Sequence, residues 1–310
     1  MMPLLSGRTF LITGATGRLG CEIVPRLEQF GARVLPLVLE GYPEKPKRVS
    51  WKGRSQPIPV ADEKDLARLP VPDCVISLHW RVDRTLPEAG QLAYEIDCNL
   101  NRLDYFWSWL VGKPLQRFVN VSSIKVFSHL NENPICAYTE PRPATPYGMA
   151  KLTAEKFFDA RFSNTSSPVV HVRLCSVASV GEHPSQLMSR LSVGAFEGSS
   201  IRIHTGHIVY LIHIEEAVDL IISAALTANR SRYILAPEGR KAGEVATKFE
   251  EISGQRLKAD YIDSALEKNR SIFVTDMGDL ATDWTRRVAL ESIISKTIES
   301  RVGVGVEGVS

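Results

Sequence analysis

The chain has 310 residues, 37 of them Lys or Arg and 35 Asp or Glu, for a net charge of +2. That length allows one large domain or two smaller ones, and the near balance of charge carries no basic footprint for nucleic acid or an anionic membrane surface. No run approaches the roughly 20 apolar residues that cross a bilayer, and the five cysteines are scattered without a C-x-x-C pair, so no membrane span, disulfide framework or zinc site is expected.

The opening stretch MMPLLSGRTF has neither a long apolar run nor an export-type cleavage pattern, and with free thiols this predicts a cytoplasmic protein. Short apolar runs at 9–13, 33–39, 57–61, 74–78, 117–121 and 169–174 read as strands, apolar on both faces as buried parallel strands are. Pro36 lies inside the second of these and predicts a bulge there. Helical periodicity covers 19–30, with Leu19, Ile23, Leu27 and Phe30 on one stripe, and a longer segment, 91–112. Strands alternating with helices predict an α/β fold with a doubly wound parallel sheet. Further on, 208–226 reads as a short strand and then a helix, 232–236 as a strand, and 241–254 and 285–300 as helices. The tail RVGVGVEGVS has no helix support and is expected to be mobile at its end. The basic stretch 43–54 reads as a solvated loop.

Between the first strand and first helix stands TGATGRLG, with Gly14, Gly17 and Gly20 three apart. Gly14 permits a tight turn, Gly17 lets the backbone approach a pyrophosphate, and Gly20 lets the helix pack closely, with the helix N-terminus facing the anion. A bare glycine turn has the same letters, but the strand–turn–helix setting favours a dinucleotide. An acid ending the second strand would bind the ribose hydroxyl of NAD, and a nearby Arg would favour NADP. LVLEGY puts Glu40 slightly late for that role; its charge leans the reading to NAD, while the basic stretch after it pulls towards NADP.

Thr145 and Pro146 read as N-cap and first position of a helix that carries Tyr147 and Lys151, four apart on one face. An ammonium beside a phenol favours the phenolate, so the pair predicts a tyrosine tuned downwards as a general acid/base. Ser123 ends the strand RFVNVSS, at the sheet edge where open α/β folds bind ligands.

These features in this order resemble the extended short-chain dehydrogenase/reductases, the NAD-dependent epimerase/dehydratase family. The resemblance runs through TGATGRLG, Asp62 after the third strand, CVISLHW, VNVSSIKVF, TEPRPATPYGMAKLTAEK, VVHVRL, LIHIEEAVDLI and TDWTRRVALESIISKTIE. It implies a Rossmann domain over 1–180, with 208–236 returning to it, and a smaller substrate-binding lobe from 181–207 and 237–310. It implies cofactor contacts from Gly14, Thr16, Gly17, Arg18, Leu19 and Gly20, from Asp62 beside the adenine, and from Leu78. Tyr147 becomes the acid/base, Lys151 its tuner and a ribose contact, and Ser123 the hydrogen bonder of the substrate oxygen. His79 is either a contact of the cofactor cleft or a histidine satisfied by local backbone, and Trp80 and Arg81 are candidates to line the cleft.

Ile124 and Lys125 stand where dehydratases of the family carry an Asp-Glu pair, which argues against sugar dehydration. Val209, Tyr210 and Ser176 depart from the positions that hold a nucleotide sugar, with Arg202, His204 and His207 as possible substitutes. The expectation is an NAD(P)-dependent oxidoreductase or epimerase acting on a secondary alcohol or ketone, possibly of a nucleotide sugar, without a metal. It is expected to dimerise through the helices of 91–112 and 147–161. The competing reading is a catalytically silent cofactor-binding sensor or scaffold.

Overall fold

The computed structural model describes residues 5–39, 51–179, 184–263, 273, 280 and 288–304; Glu40, residues 43–50 of the basic stretch and the last six residues of the tail lie outside them. Seven parallel strands form the main sheet: β1 (Thr9–Thr13), β2 (Arg33–Leu39), β3 (Ile58–Val60), β4 (Cys74–Ser77), β5 (Arg117–Ser123), β6 (Val169–Leu174) and β11 (Arg232–Leu235). Their order is β3-β2-β1-β4-β5-β6-β11, so the chain runs outwards from β1 to one edge, then returns to β4 and fills the other half. That reversal between β1 and β4 opens a crevice at the carboxyl ends of the strands, where open α/β sheets bind their ligands.

Side chains alternate across the strands and feed two apolar layers. Phe10, Ile12, Ile76 and Val119 face one layer, which includes residues of α1 (Arg18–Gln29) and α7 (Ile214–Thr227). Leu11, Leu37, Val75 and Phe118 face the other, with α4 (Asp104–Val111) and α5 (Pro146–Phe162). In this second layer Phe158 packs 4.9 Å from Trp107 and 4.8 Å from Phe118, and Phe162 lies 5.0 Å from Phe118, measured between ring centres. These aromatic contacts fix α5, and with it Tyr147 and Lys151, against β5. A third apolar cluster, built on Leu191, Ile203, Val245, Phe249 and Ile294, lies among α6 (Leu187–Phe196), β8 (Ile201–His204), α8 (Ala242–Ser253) and α9 (Leu290–Val304).

Several expectations are corrected. The strand β2 has no bulge: Leu35, Pro36 and Leu37 pair in step with Leu11, Ile12 and Thr13. The strand β3 first pairs opposite Leu37, so at Pro36 the sheet is still open on that side and needs no donor there. The segment 91–112 is not one helix but α3 (Glu88–Ile96), a π-type turn at Asp97–Asn101, and α4. The break follows the polar residues Asp97 and Asn99; Asn99 turns inwards to bond Arg81 instead of continuing an apolar stripe. The last helix starts at Leu290 and runs to Val304, past the start of the Gly-Val tail, because Ile293 and Ile294 anchor it and extending a formed helix costs little. The stretch 208–226 begins as two strands, β9 (Ile208–Val209) and β10 (Leu211–His213), not one.

A candidate active site at the carboxyl ends of β1, β4 and β5

The glycine turn joins β1 directly to α1. Gly14 has a φ of +65°, and a Cβ there would stand 2.8 Å from the backbone nitrogen of His79, which L side chains avoid. A Cβ on Gly20 would collide with the carbonyl of Ala15, so the helix packs on the turn only because that atom is missing. Thr13 ties the far side: its hydroxyl accepts from the backbone N–H groups of Leu78 (3.2 Å) and His79 (3.3 Å). The ends of β1 and β4 are thus pinned together around the turn.

The N-terminus of α1 suits a pyrophosphate. Its N-cap is Gly17, with no capping side chain and no acidic residue in the first turn, whereas α5 and α7 are capped by Thr145 and His213. Thr16 and Gly17 are exposed there. Uncapped N–H groups at a helix start attract an anion. Leu19 is half-buried and packs on the core beneath the turn. Arg18 turns across the crevice, donating to the carbonyl of Val177 (3.2 Å) and to Ser179 Oγ (2.8 Å). Asp62 has a local task as well: it caps α2 (Glu63–Ala67), accepting from the N–H groups of Lys64 and Asp65. Of the basic stretch, Lys52 and Arg54 are bound to Glu22 and Glu28 of α1.

The predicted trio comes together. β5 ends at Ser123, and Thr145 caps α5 by accepting from Gly148 N–H at 3.1 Å, placing Tyr147 in the first turn. The Ser123 hydroxyl hydrogen-bonds the Tyr147 phenol and also accepts from Lys125 N–H. The electrostatics differ from the expectation. Burial pushes the Tyr147 phenol up to about 12, with the Glu95 carboxylate adding to the rise; Ser123 and Arg84 pull the other way. Lys151 does not bring the phenol down, because its ammonium is turned elsewhere. Only 5 % exposed, it donates to the carbonyl of Val121 at 3.1 Å and lies 3.9 Å above the ring of Trp80. Burial lowers it to about 7, against the pull of Glu95 and Glu155.

Sequence reasoning missed this surrounding shell. Glu95 is fully buried and accepts from Trp80 Nε1 (2.8 Å) and Gln91 Nε2 (2.9 Å). Asn99 accepts from Arg81 N–H at 2.7 Å and donates to its carbonyl at 2.9 Å, fixing the loop that bears Trp80. The signal was present: Gln91, Glu95 and Asn99 recur every four residues, a polar stripe on a segment otherwise read as apolar. Beneath Lys151, Glu155 receives Arg173 through two bonds (2.7 and 3.1 Å) and Ser122 Oγ at 2.6 Å. Arg84 reaches from the loop after β4 to Ser185 Oγ at 2.7 Å.

Other candidates are placed elsewhere. Tyr210 is buried, its hydroxyl accepting from Phe273 N–H, and serves the core. Arg202 and His204 project to solvent from β8, alternating with buried Ile201 and Ile203, and His207 is exposed. Among the described residues no group of three His, Cys, Asp or Glu side chains converges on a metal-sized site, and no helix is long and apolar enough to cross a membrane.

Residues 10–235 match the NAD dependent epimerase/dehydratase family. This chain belongs to that family. Its cofactor is accordingly NAD, and the uncapped glycine turn is built to receive it. No curated protein matches the sequence. Among solved structures, MoeE5 in complex with UDP-glucose and NAD is 22% identical with a TM-score of 0.75, covering 96% of this chain and 99% of its own. The UDP-glucose 4-epimerase of Thermotoga maritima is 15% identical with a TM-score of 0.78, over 96% and 99% of the two chains. The UDP-glucuronic acid 4-epimerase of Bacillus cereus, in complex with UDP-glucuronic acid and NAD, is 16% identical with a TM-score of 0.75 and the same coverage. At these identities the likeness is one of fold.

Proposed function

We propose that this protein is an NAD-dependent epimerase that oxidises and re-reduces a secondary alcohol of a nucleotide sugar, with Tyr147 as the general acid/base. The observation that carries this reading is the meeting of Ser123, Tyr147 and Lys151 at the carboxyl end of β5, beside the uncapped glycine turn. NAD, when bound, supplies the hydride acceptor and a positive charge in the crevice. Ser123 orients the substrate oxygen, and Tyr147 takes its proton as the alcohol becomes a ketone and returns it on reduction. Of the three ammonium protons of Lys151, one is committed to Val121 and one faces the Trp80 ring, leaving one for a ribose hydroxyl. Gly14, Gly17 and the first turn of α1 would hold the pyrophosphate. With Ile124 and Lys125 in place of an acid pair, dehydration is disfavoured. The nucleotide-sugar class is supported by what the similar structures hold, UDP-glucose and UDP-glucuronic acid.

One observation favours a catalytically silent NAD-binding protein instead: the phenol stands at about 12. The test is to incubate the protein and its Tyr147→Phe variant with NAD and UDP-glucose or UDP-glucuronic acid, following the sugars by NMR. Epimer formation that drops about 100- to 10,000-fold in the variant supports the reading. Absence of turnover by the wild type while NAD still raises its melting temperature favours the silent one. We further propose a homodimer through the outward faces of α4 and α5, where Arg161 already joins Asp104 and Ser108. Light scattering that gives a monomer mass at working concentration overturns it.

A further inference from the structure

Lys151 and Glu95 are both buried, and neither touches the other. A buried charge is costly unless something compensates it, so each must have an answer in its surroundings. For the two carboxylates near Lys151 the accounts differ. Glu155 is saturated by the Arg173 fork and the Ser122 hydroxyl. Glu95 accepts only neutral donors, Trp80 Nε1 and Gln91 Nε2, and its charge is otherwise unanswered by direct contact. Between Glu95 and Lys151 stands the indole of Trp80, its edge bonded to the carboxylate and its face under the ammonium.

That arrangement is more than packing. An indole N–H that donates to a carboxylate is polarised by it, which makes the ring more electron-rich and its face a better seat for a cation. The same hydrogen bond stops the ring from turning its edge towards Lys151. We propose that Trp80 and Glu95 are positioning residues of the Tyr147–Lys151 pair: Glu95 fixes and polarises the indole, and the indole face holds the Lys151 ammonium between Val121 and the reaction crevice. The inference rests on the reading of Tyr147 and Lys151 as the acid/base pair, and adds two residues that act on the pair through Lys151.

The charged groups around the pair come from four elements. Lys151 faces Glu95 on α3 and Glu155 on its own helix; Tyr147 faces Glu95 and, from the loop after β4, Arg84, with the neutral Ser123 hydroxyl on β5. Glu95 is common to both. Its charge holds the ammonium protonated to higher pH and also disfavours the phenolate, so its removal moves both titrations downwards.

The test uses the full-length protein without added ligand, labelled with lysine carrying 13C at the ε position, and follows the Lys151 resonance against pH. A Lys151→Arg variant assigns the peak. Glu95→Gln keeps an acceptor for the indole and removes the charge; Trp80→Phe keeps a ring and removes the anchoring N–H. The wild type is expected to titrate near 7, with each variant lower by about half a unit or more. An ordinary lysine midpoint near 10.4 in the wild type, or an unchanged or raised midpoint in Glu95→Gln, overturns the proposal. Should Glu95→Gln not fold, the Trp80→Phe midpoint decides alone. A merely space-filling Trp80 would leave that midpoint where it was. Failure of NAD to shift the melting temperature would overturn the proposed function, yet leave this titration standing on its own result.

Discussion

Two buried cations flank α5, and they are treated in opposite ways. Arg173 is closed: its fork grips Glu155, Nη1 donates to the carbonyl of Ala137 at 3.0 Å, and its plane lies 4.9 Å from the ring of Phe127. Lys151 is open: it has one carbonyl, one ring face and no carboxylate in contact. A closed pair fixes how α5 lies on β5 and β6, since no donor is left over. An open ammonium keeps a donor and a labile proton, which is what a group that must engage a ligand needs. The difference separates scaffold from chemistry within one helix.

The largest expected effect tests the closed side. Replacing Arg173 with Met strands the Glu155 carboxylate, and breaking a buried pair from one side costs about 3–5 kcal/mol. Urea unfolding of Arg173→Met should show a loss of that size; a cost below about 1 kcal/mol would put Arg173 outside the scaffold. Next comes pH, where the two pairs leave opposite signatures. The Glu155 carboxyl is held below its usual range in the fold by Arg173, His171 and Ser122 against desolvation. Its contribution is therefore full above the unfolded value near 4.3 and is lost as pH falls towards the folded one. Lys151 titrates near 7 when folded and near 10.4 when unfolded, so between those values the unfolded chain binds more protons and stability rises with pH. We expect a rise on the order of 2–4 kcal/mol from pH 7 to 10 that is absent in Lys151→Met. Above pH 10 Tyr147, near 12 in the fold, reverses the slope. A wild type and variant with parallel stability curves over that range would erase the distinction between open and closed.

The smallest effect sharpens it. Thr145 caps only the end of α5 that bears Tyr147. Its replacement by Ala should cost about 1 kcal/mol by thermal unfolding. If the acid-side loss tied to Glu155 shifts as much as the Lys151 titration does, the two ends of the helix are not independent.

Much of the crevice was legible residue by residue. β1, β2 and β6 begin and end where their Val-, Ile- and Leu-rich runs do, because strands buried on both faces must be apolar throughout. The N-cap at Thr145 followed directly from a hydroxyl before Pro146. The π-type turn after Ile96 was not legible, since its cause lies in the backbone of Arg81, which Asn99 reaches across the fold. Pro36 was misjudged for the same kind of reason. Whether a missing donor matters depends on where the neighbouring strand begins, and no property of β2 itself says that.

The sequence by itself determined the parallel α/β order, the glycine turn that joins β1 to α1, and the two helical positions that bring Tyr147 and Lys151 to one face. These are local consequences of apolar period, glycine placement and helix geometry. Only the tertiary structure decided the chemistry of the pair. Burial raised the phenol and lowered the ammonium, and the ammonium turned to Trp80 because a carboxylate from α3 had fixed that ring. Desolvation and the direction of a side chain depend on what other elements pack nearby, and spacing along the chain does not carry that information.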